Sequence, residues 1–456
     1  MNLNASVHSR VSTLEQQIRA KPVVPGRSIG FTTACSVVIA NIIGTGIFTS
    51  LGFQLADIQS GFALLLLWIV GGIAALCGAL CYGELAAALP RSGGEYHFLS
   101  KIYHPALGFM AGFISATVGF SAPIALAAMA FGKYLNGVLG FGSPVFLSFA
   151  AVWVVALFHV KTLQFGSAFQ NFFTVVKLLL IGAFIVAGLF VQPKQPITFL
   201  PEAGASNTVF GAPFAVALVY VMYSYSGWNA AAYITGEIKR PQRNVPRSLL
   251  VGTGIVIIVY VLVNAVFLGT TPIGELKGQL EVALIAGKHI FGTNGARVAG
   301  AVICLGLISA ISSMTWIGPR VSMSMGEDHW LLRWLGRKNS HGIPTNAIVV
   351  QLLIVNLLLF TRSFQSVVQY TQFSLLLCSF LTVLGLMVLR RTRPQIPRPY
   401  RARAYPLPPV TFCIITSWMM LYLLRWKTTE SLAGLATALV GVLLYFCARK
   451  GRHSLP

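Results

Sequence analysis

Acidic residues are scarce in this chain: 11 Asp and Glu stand against 33 Lys and Arg in 456 residues, and charged residues of both signs make up 10% of the total. A soluble domain carries about a quarter of its residues charged. With 55% apolar residues the chain is too greasy for a soluble fold and too long for one or two membrane spans. The apolar stretches hold no paired carboxylates and no His cluster with metal-ligand spacing. His8, His97, His104, His289, His329, His341 and His453 fall in loops or tails, and His159 stands at a span end. An intramembrane enzyme would lack general acid and base groups at depth, so no enzymatic activity, metal or cofactor is expected. No ring of charges or repeated filter motif marks a channel. The seven cysteines, Cys35, Cys77, Cys81, Cys304, Cys378, Cys413 and Cys447, all lie in apolar segments. They offer no disulfide framework, and Cys77 with Cys81, one helical turn apart, reads as a packed pair more readily than a ligand pair. The net charge of +22 would suggest nucleic acid in a soluble chain; here it gathers in alternate loops, as in a polytopic helical membrane protein.

What is present centres on Ile42-Ile43-Gly44-Thr45-Gly46-Ile47-Phe48. Glycine inside a helix costs roughly 1 kcal/mol relative to alanine, and unwound backbone inside a membrane is tolerated only where it lines a cavity or is buried in protein. Two readings are open: close helix packing through small residues, or a break that exposes main-chain N–H groups at the start of a half-helix, where an anion is favoured. A second interruption, Tyr223-Ser224-Tyr225-Ser226-Gly227-Trp228-Asn229, favours the break. Two interrupted spans in corresponding positions of two halves point to a transporter built from inverted repeats.

In order, residues 1–27 form a polar tail with Arg10, Arg19, Lys21 and Arg27, and no signal-peptide pattern. Apolar spans are expected near 28–54, 61–89, 107–139, 144–160, 166–191, 210–236, 245–270, 296–325, 344–360, 364–389, 405–424 and 431–448. Between the second and third lies a turn-rich loop followed by an amphipathic piece around 97–104. Segment 272–295 suggests short surface helices. The most basic loop, with Arg390, Arg391, Arg393, Arg398, Arg401 and Arg403, follows the tenth span. Twelve spans put both tails on the basic, cytoplasmic face.

Lys177 stands roughly 16 Å along the fifth span. An ammonium near the bilayer centre costs about 2.5–3.5 kcal/mol. It must therefore face the bundle interior and meet carbonyl or carboxylate partners, lose its proton, or reach an interface along its stem.

Taken together, Ile43-Gly44-Thr45-Gly46-Ile47-Phe48, Gly83-Glu84-Leu85, Pro90-Arg91-Ser92-Gly93-Gly94-Glu95-Tyr96, Lys177-Leu178-Leu179, and Tyr225-Ser226-Gly227-Trp228-Asn229 running on to Glu237-Ile238-Lys239-Arg240-Pro241 resemble the amino acid, polyamine and organocation (APC) transporter superfamily. Within it the chain resembles the L-type amino acid transporter branch and its bacterial homologues, over essentially the whole length. The resemblance implies an all-α membrane protein of LeuT-like fold, with twelve transmembrane helices and a 5+5 inverted repeat in which helices one and six are broken. The repeats would span 28–191 and 210–390, with peripheral helices in 405–448 and a cytoplasmic tail at 449–456. It implies an amino acid held at the two breaks: Ile43, Gly44, Thr45 and Gly46 at its carboxylate, and the carbonyls of Tyr223, Ser224 and Ser226 at its ammonium. Tyr223 falls where the family places a gating aromatic. Ser226 replaces the glycine or aspartate common in the L-type branch, which puts side-chain selectivity in question. Lys177 matches the position whose ammonium stands where sodium-coupled relatives of the wider fold bind a cation, so no sodium requirement is expected.

The function so implied is a sodium-independent exchanger of neutral amino acids working by alternating access in the inner or plasma membrane. A proton-coupled symporter is the alternative within the class, and an intramembrane enzyme or channel the alternative outside it. The external loop after span three has no cysteine, so the disulfide-linked partner of some animal relatives is not expected. Nor is nucleic acid; the partners are the amino acid and the bilayer.

Overall fold

The structure, a computed structural model, describes residues 27–161, 163–202, 204–361 and 364–450. Most of both tails, with Arg10, Arg19, Lys21, His8 and His453, lies outside them. The described chain is helical, its one isolated β-bridge joining Ile29 to Ile238. Helix is what lipid demands, because a helix satisfies its own main-chain groups where no water can.

The first span is two helices, α1 (Phe31–Ile42) and α2 (Gly46–Gln54). Next come α3 (Gly61–Ala88), started by Ser60, whose hydroxyl oxygen accepts from Ala63 N, and the short α4 (Glu95–Ile102). The third span is α5 (Pro105–Ile114) and α6 (Ser121–Leu139), joined by a π turn over Ser115–Gly119. There the Phe120 N–H reaches back five residues to Ser115 O, and Ser121 Oγ donates to Ala116 O at 2.8 Å. The first half of the chain closes with α7 (Pro144–Lys161) and α8 (Leu163–Leu189).

After a short α9 (Ala205–Val209), the sixth span is again divided, into α10 (Ala212–Tyr225) and α11 (Ala230–Tyr233). Helix α12 (Pro241–Thr270) starts before the expected residue 245. Pro241 suits a first turn, where no N–H is needed and φ is already helical, so the basic run that reads as loop is wound into the helix. A single turn, α13 (Ile273–Leu276), precedes α14 (Val282–Asp328), which bends at Gly292 (φ 73°). Its first arm and α13 supply the short helices expected between 272 and 295. The chain ends with α15 (Thr345–Thr361), α16 (Phe364–Thr392), α17 (Leu407–Trp426) and α18 (Thr428–Lys450).

Among the described residues nine helical spans are long and apolar enough to cross a membrane, and three shorter apolar helices cover 144–159, 212–225 and 345–360. The broken spans lie at the centre: α10 packs on α2, and α11 on α1. Around them α12 lies along α3 and α1, and α14 along α6 and α8. Helix α4 starts earlier than the amphipathic reading places it and is not a surface element. Glu95, Tyr96, His97, Phe98 and Leu99 are all buried, because α4 folds back beneath α16.

One loop face is stitched together by charge. Ile29 N donates to Glu237 O at 3.0 Å and Lys239 N to Ile29 O at 2.8 Å. Arg320 Nε donates to Glu237 Oε1 at 2.8 Å, and Arg91 holds Asp328 through both carboxylate oxygens at 3.0 and 2.9 Å. The fully buried Glu84 takes Arg390 Nε at 2.8 Å and Ala402 N at 2.7 Å. We call this the basic face.

Candidate functional site

Both glycine-bearing interruptions are true breaks, and they meet. In the first, the last helical hydrogen bond runs from Ile43 N to Ile39 O at 2.8 Å and the helix resumes at Gly46. Gly44 N turns back to Ile42 O at 2.8 Å, and the N–H groups of Thr45, Gly46 and Ile47 make no main-chain bond. These are the unsatisfied donors of a helix N-terminus, with the positive end of its dipole. In the second, Ser226 N closes onto Tyr223 O at 3.0 Å, and the carbonyls of Tyr225 and Ser226 accept no main-chain bond. Unbonded N–H groups of the first break and unbonded carbonyls of the second thus come together, Thr45 and Gly46 buried and Ser226 half-buried.

Two glycines permit this approach. A Cβ on Gly46 would stand 2.6 Å from Ser224 Cα, and one on Gly227 would stand 2.8 Å from the Asn41 carbonyl carbon. Gly227 also has φ 98°, a conformation that suits glycine. Gly44 is different, its nearest neighbour being Ala310 Cβ at 3.8 Å.

The hydroxyls of Thr45 and Tyr223 meet at 2.9 Å, closing the side of the breaks away from the basic face. Ser50 Oγ and Ser224 Oγ meet at 2.8 Å just beyond. Beneath them Ile42, Gly44, Thr45, Gly46, Tyr223 and Ser226 line a chamber of about 10 Å³, room for about one water. Ile43 points elsewhere: its side chain is in the core, and its carbonyl takes Lys177 Nζ at 2.6 Å, with Ala40 O at 3.5 Å. Lys177 is 1% exposed, and its stem packs on the span-eight residue Gly306. Its ammonium therefore lies between the first and eighth spans against carbonyls, as the burial cost requires.

Of the three carbonyls assigned to the ammonium pole, Tyr223 O and Ser224 O each already accept one bond. Both keep a second lone pair. The donor to Ser224 O is a residue that sequence reasoning missed. Tyr260 Oη lies 2.9 Å from Ser224 O and 2.8 Å from Ile42 O, spanning the two breaks with one hydroxyl. Nothing in the sequence separates this tyrosine from an apolar span's ordinary aromatic filler. His159 is 6% exposed and pairs with Ser312 of α14 at 2.7 Å, a packing role at its span end. Among the described residues no group of three His, Cys, Asp or Glu side chains could hold a metal ion.

Opposed breaks of opposite polarity at the centre of an apolar bundle define a helical membrane carrier. The chain belongs to the amino acid permease family, whose profile matches residues 29–444, and its fold is the LeuT-like one. It is similar to the human b(0,+)-type amino acid transporter 1, with 26% identity over 428 residues, 92% of this chain and 87% of that protein. It is similar also to the mouse large neutral amino acids transporter small subunit 2, with 28% identity over 446 residues, 94% of this chain and 82% of that protein. The name of the mouse relative marks that protein as one subunit of an assembly.

Proposed function

We propose that the protein is a sodium-independent transporter of neutral amino acids that works by alternating access as an exchanger. The observation that carries this is the pairing of poles at the breaks. The first break leaves the N–H groups of Thr45, Gly46 and Ile47 without main-chain partners and the second leaves the carbonyls of Tyr225 and Ser226 so, with Thr45, Gly46 and Ser226 on one chamber; a zwitterion offers a carboxylate to the first set and an ammonium to the second. Gly44 and Gly46 let the substrate reach the main chain, the second lone pairs of Tyr223 O and Ser224 O add acceptors, and Tyr223 gates the site from outside.

Lys177 serves as the fixed cation. Its Nζ at Ile43 O steadies the first break electrostatically, as a bound sodium ion would. The first repeat then covers 28–191 and the second 210–390, with 405–448 peripheral. The basic face is cytoplasmic by the positive-inside rule, which places both tails inside the cell and the protein in the inner or plasma membrane. With no cysteine in the loop after the third span, no disulfide-linked partner is assigned.

The test is uptake of a panel of labelled amino acids into proteoliposomes, with and without internal substrate and with and without a pH gradient. Exchange predicts uptake of neutral amino acids only when the lumen is loaded. Uptake into empty vesicles that acidifies the lumen would replace exchange by proton symport.

A further inference from the structure

Two buried polar side chains that the breaks do not use line a single cavity. It has a volume of about 60 Å³, and Asn41, Ser226, Asn229, Glu95, Gln372 and Ser379 are among its lining residues. At about 10–15 Å³ per water it holds several waters, against about one between the breaks. Asn41, Pro123, Ser226 and Met314 line both spaces, so the larger is the continuation of the smaller toward the basic face.

Glu95 is 1% exposed. Its Oε1 accepts from the Tyr82 hydroxyl, from Ser379 Oγ at 3.1 Å and from Asn229 Nδ2 at 3.4 Å, while its Oε2 has no hydrogen-bond partner. Gln372 is 2% exposed, and its Nε2 has no partner either. An unsatisfied carboxylate oxygen and an unsatisfied amide nitrogen, buried on one cavity, are complementary to the two ends of a zwitterion. The titratable groups that face Glu95 are Tyr82 of α3, Tyr233 of α11 and Cys378 of α16. None of these is a cation that would neutralise it. Burial pushes the Glu95 carboxyl up to about 7, and an arriving ammonium favours the ionised form.

We propose that Glu95 and Gln372 form a second binding station for the transported amino acid on the basic-face side of the breaks, Glu95 taking its ammonium and the Gln372 amide its carboxylate. The station rests on the transport reading given above. A substrate leaving the breaks trades main-chain partners for side-chain partners of the same polarity, so neither pole passes unpaired through the buried half of the route.

The test is exchange of a labelled neutral amino acid in proteoliposomes that hold the protein in one orientation, with half-saturation measured separately at each face. The wild type is compared with Glu95→Gln, which keeps the shape and the acceptor for Tyr82, and with Gln372→Leu. Each variant is expected to raise half-saturation at the basic face about tenfold, the scale of one charge-assisted hydrogen bond, while the opposite face moves less than about twofold. If both faces shift together, or neither does, or if the variants reorder substrate preference at the opposite face, the station is wrong. A wild type that performs no exchange would instead remove the transport reading beneath it. A Glu95→Gln protein that does not fold leaves Gln372→Leu to decide.

Discussion

Lys177 Nζ lies 2.6 Å from the carbonyl oxygen of Ile43, in the three-residue gap between α1 and α2. The contact joins the fifth span to the first at the point where the first loses its winding. Replacing Lys177 with alanine leaves that carbonyl without its cation and opens a void beside Gly306. Exchange in proteoliposomes should fall by about tenfold or more, while membrane insertion persists. Because the positive charge belongs to the chain, replacing sodium by choline should leave wild-type exchange unchanged. Stimulation by sodium would contradict this assignment.

The glycines should separate by position. Gly46→Ala forces a methyl against Ser224 Cα, main chain that cannot rotate away, and Gly227→Ala adds a strained φ to a clash with Asn41. Both should abolish exchange and lower thermal stability in detergent. Gly44→Ala meets Ala310 only at ordinary contact distance. It should fold with near-normal stability, and any loss should appear in substrate half-saturation. Equal thermal damage from all three would count against the close approach of the breaks.

Tyr260→Phe removes the hydroxyl shared by Ile42 O and Ser224 O. One hydroxyl carries one proton and serves one carbonyl at a time, so the loss is that of about one buried hydrogen bond, roughly 1–3 kcal/mol. We expect a maximal exchange rate reduced about tenfold with a smaller change in half-saturation. An unchanged rate would reduce Tyr260 to packing.

His97 gives a pH signature. Burial in α4, with Arg91 and Lys101 adding to it, pulls its imidazole from 6.5 down to about 4. Between these values the unfolded chain binds the proton and the folded chain does not. Stability is therefore fully present above about 6.5, falls as the pH drops toward about 4 and then levels, by on the order of 3 kcal/mol. His97→Asn should flatten thermal-unfolding curves over that window. Glu95, pushed up by burial to about 7 from 4.5, acts oppositely. The folded chain keeps that proton longer, so stability declines as the pH rises from about 4.5 to about 7, and only the difference between wild type and His97→Asn isolates the histidine. A difference that does not vary with pH would refute the shift.

The breaks were legible because glycine and serine at membrane depth are expensive, and Lys177 because its charge is. Each is a local violation that a one-dimensional reading detects. Tyr260 violates nothing, since an aromatic in an apolar span is the commonest filler, and only the folded chain brings its hydroxyl to both breaks. Glu95 reads as part of a turn-rich loop, because its burial depends on α4 folding back beneath α16. The start of α12 was misplaced because a run of Arg and Pro resembles a loop, whereas the first turn of a helix accepts proline.

The ammonium at Ile43 is tethered to the protein by its own side chain. Sodium that binds and leaves can transfer the energy of its gradient to a solute; a charge that never departs cannot. On the role proposed for it, the fixed lysine leaves the carrier no sodium gradient to spend at this position, and one-for-one exchange redistributes amino acids between two compartments without altering how many each contains.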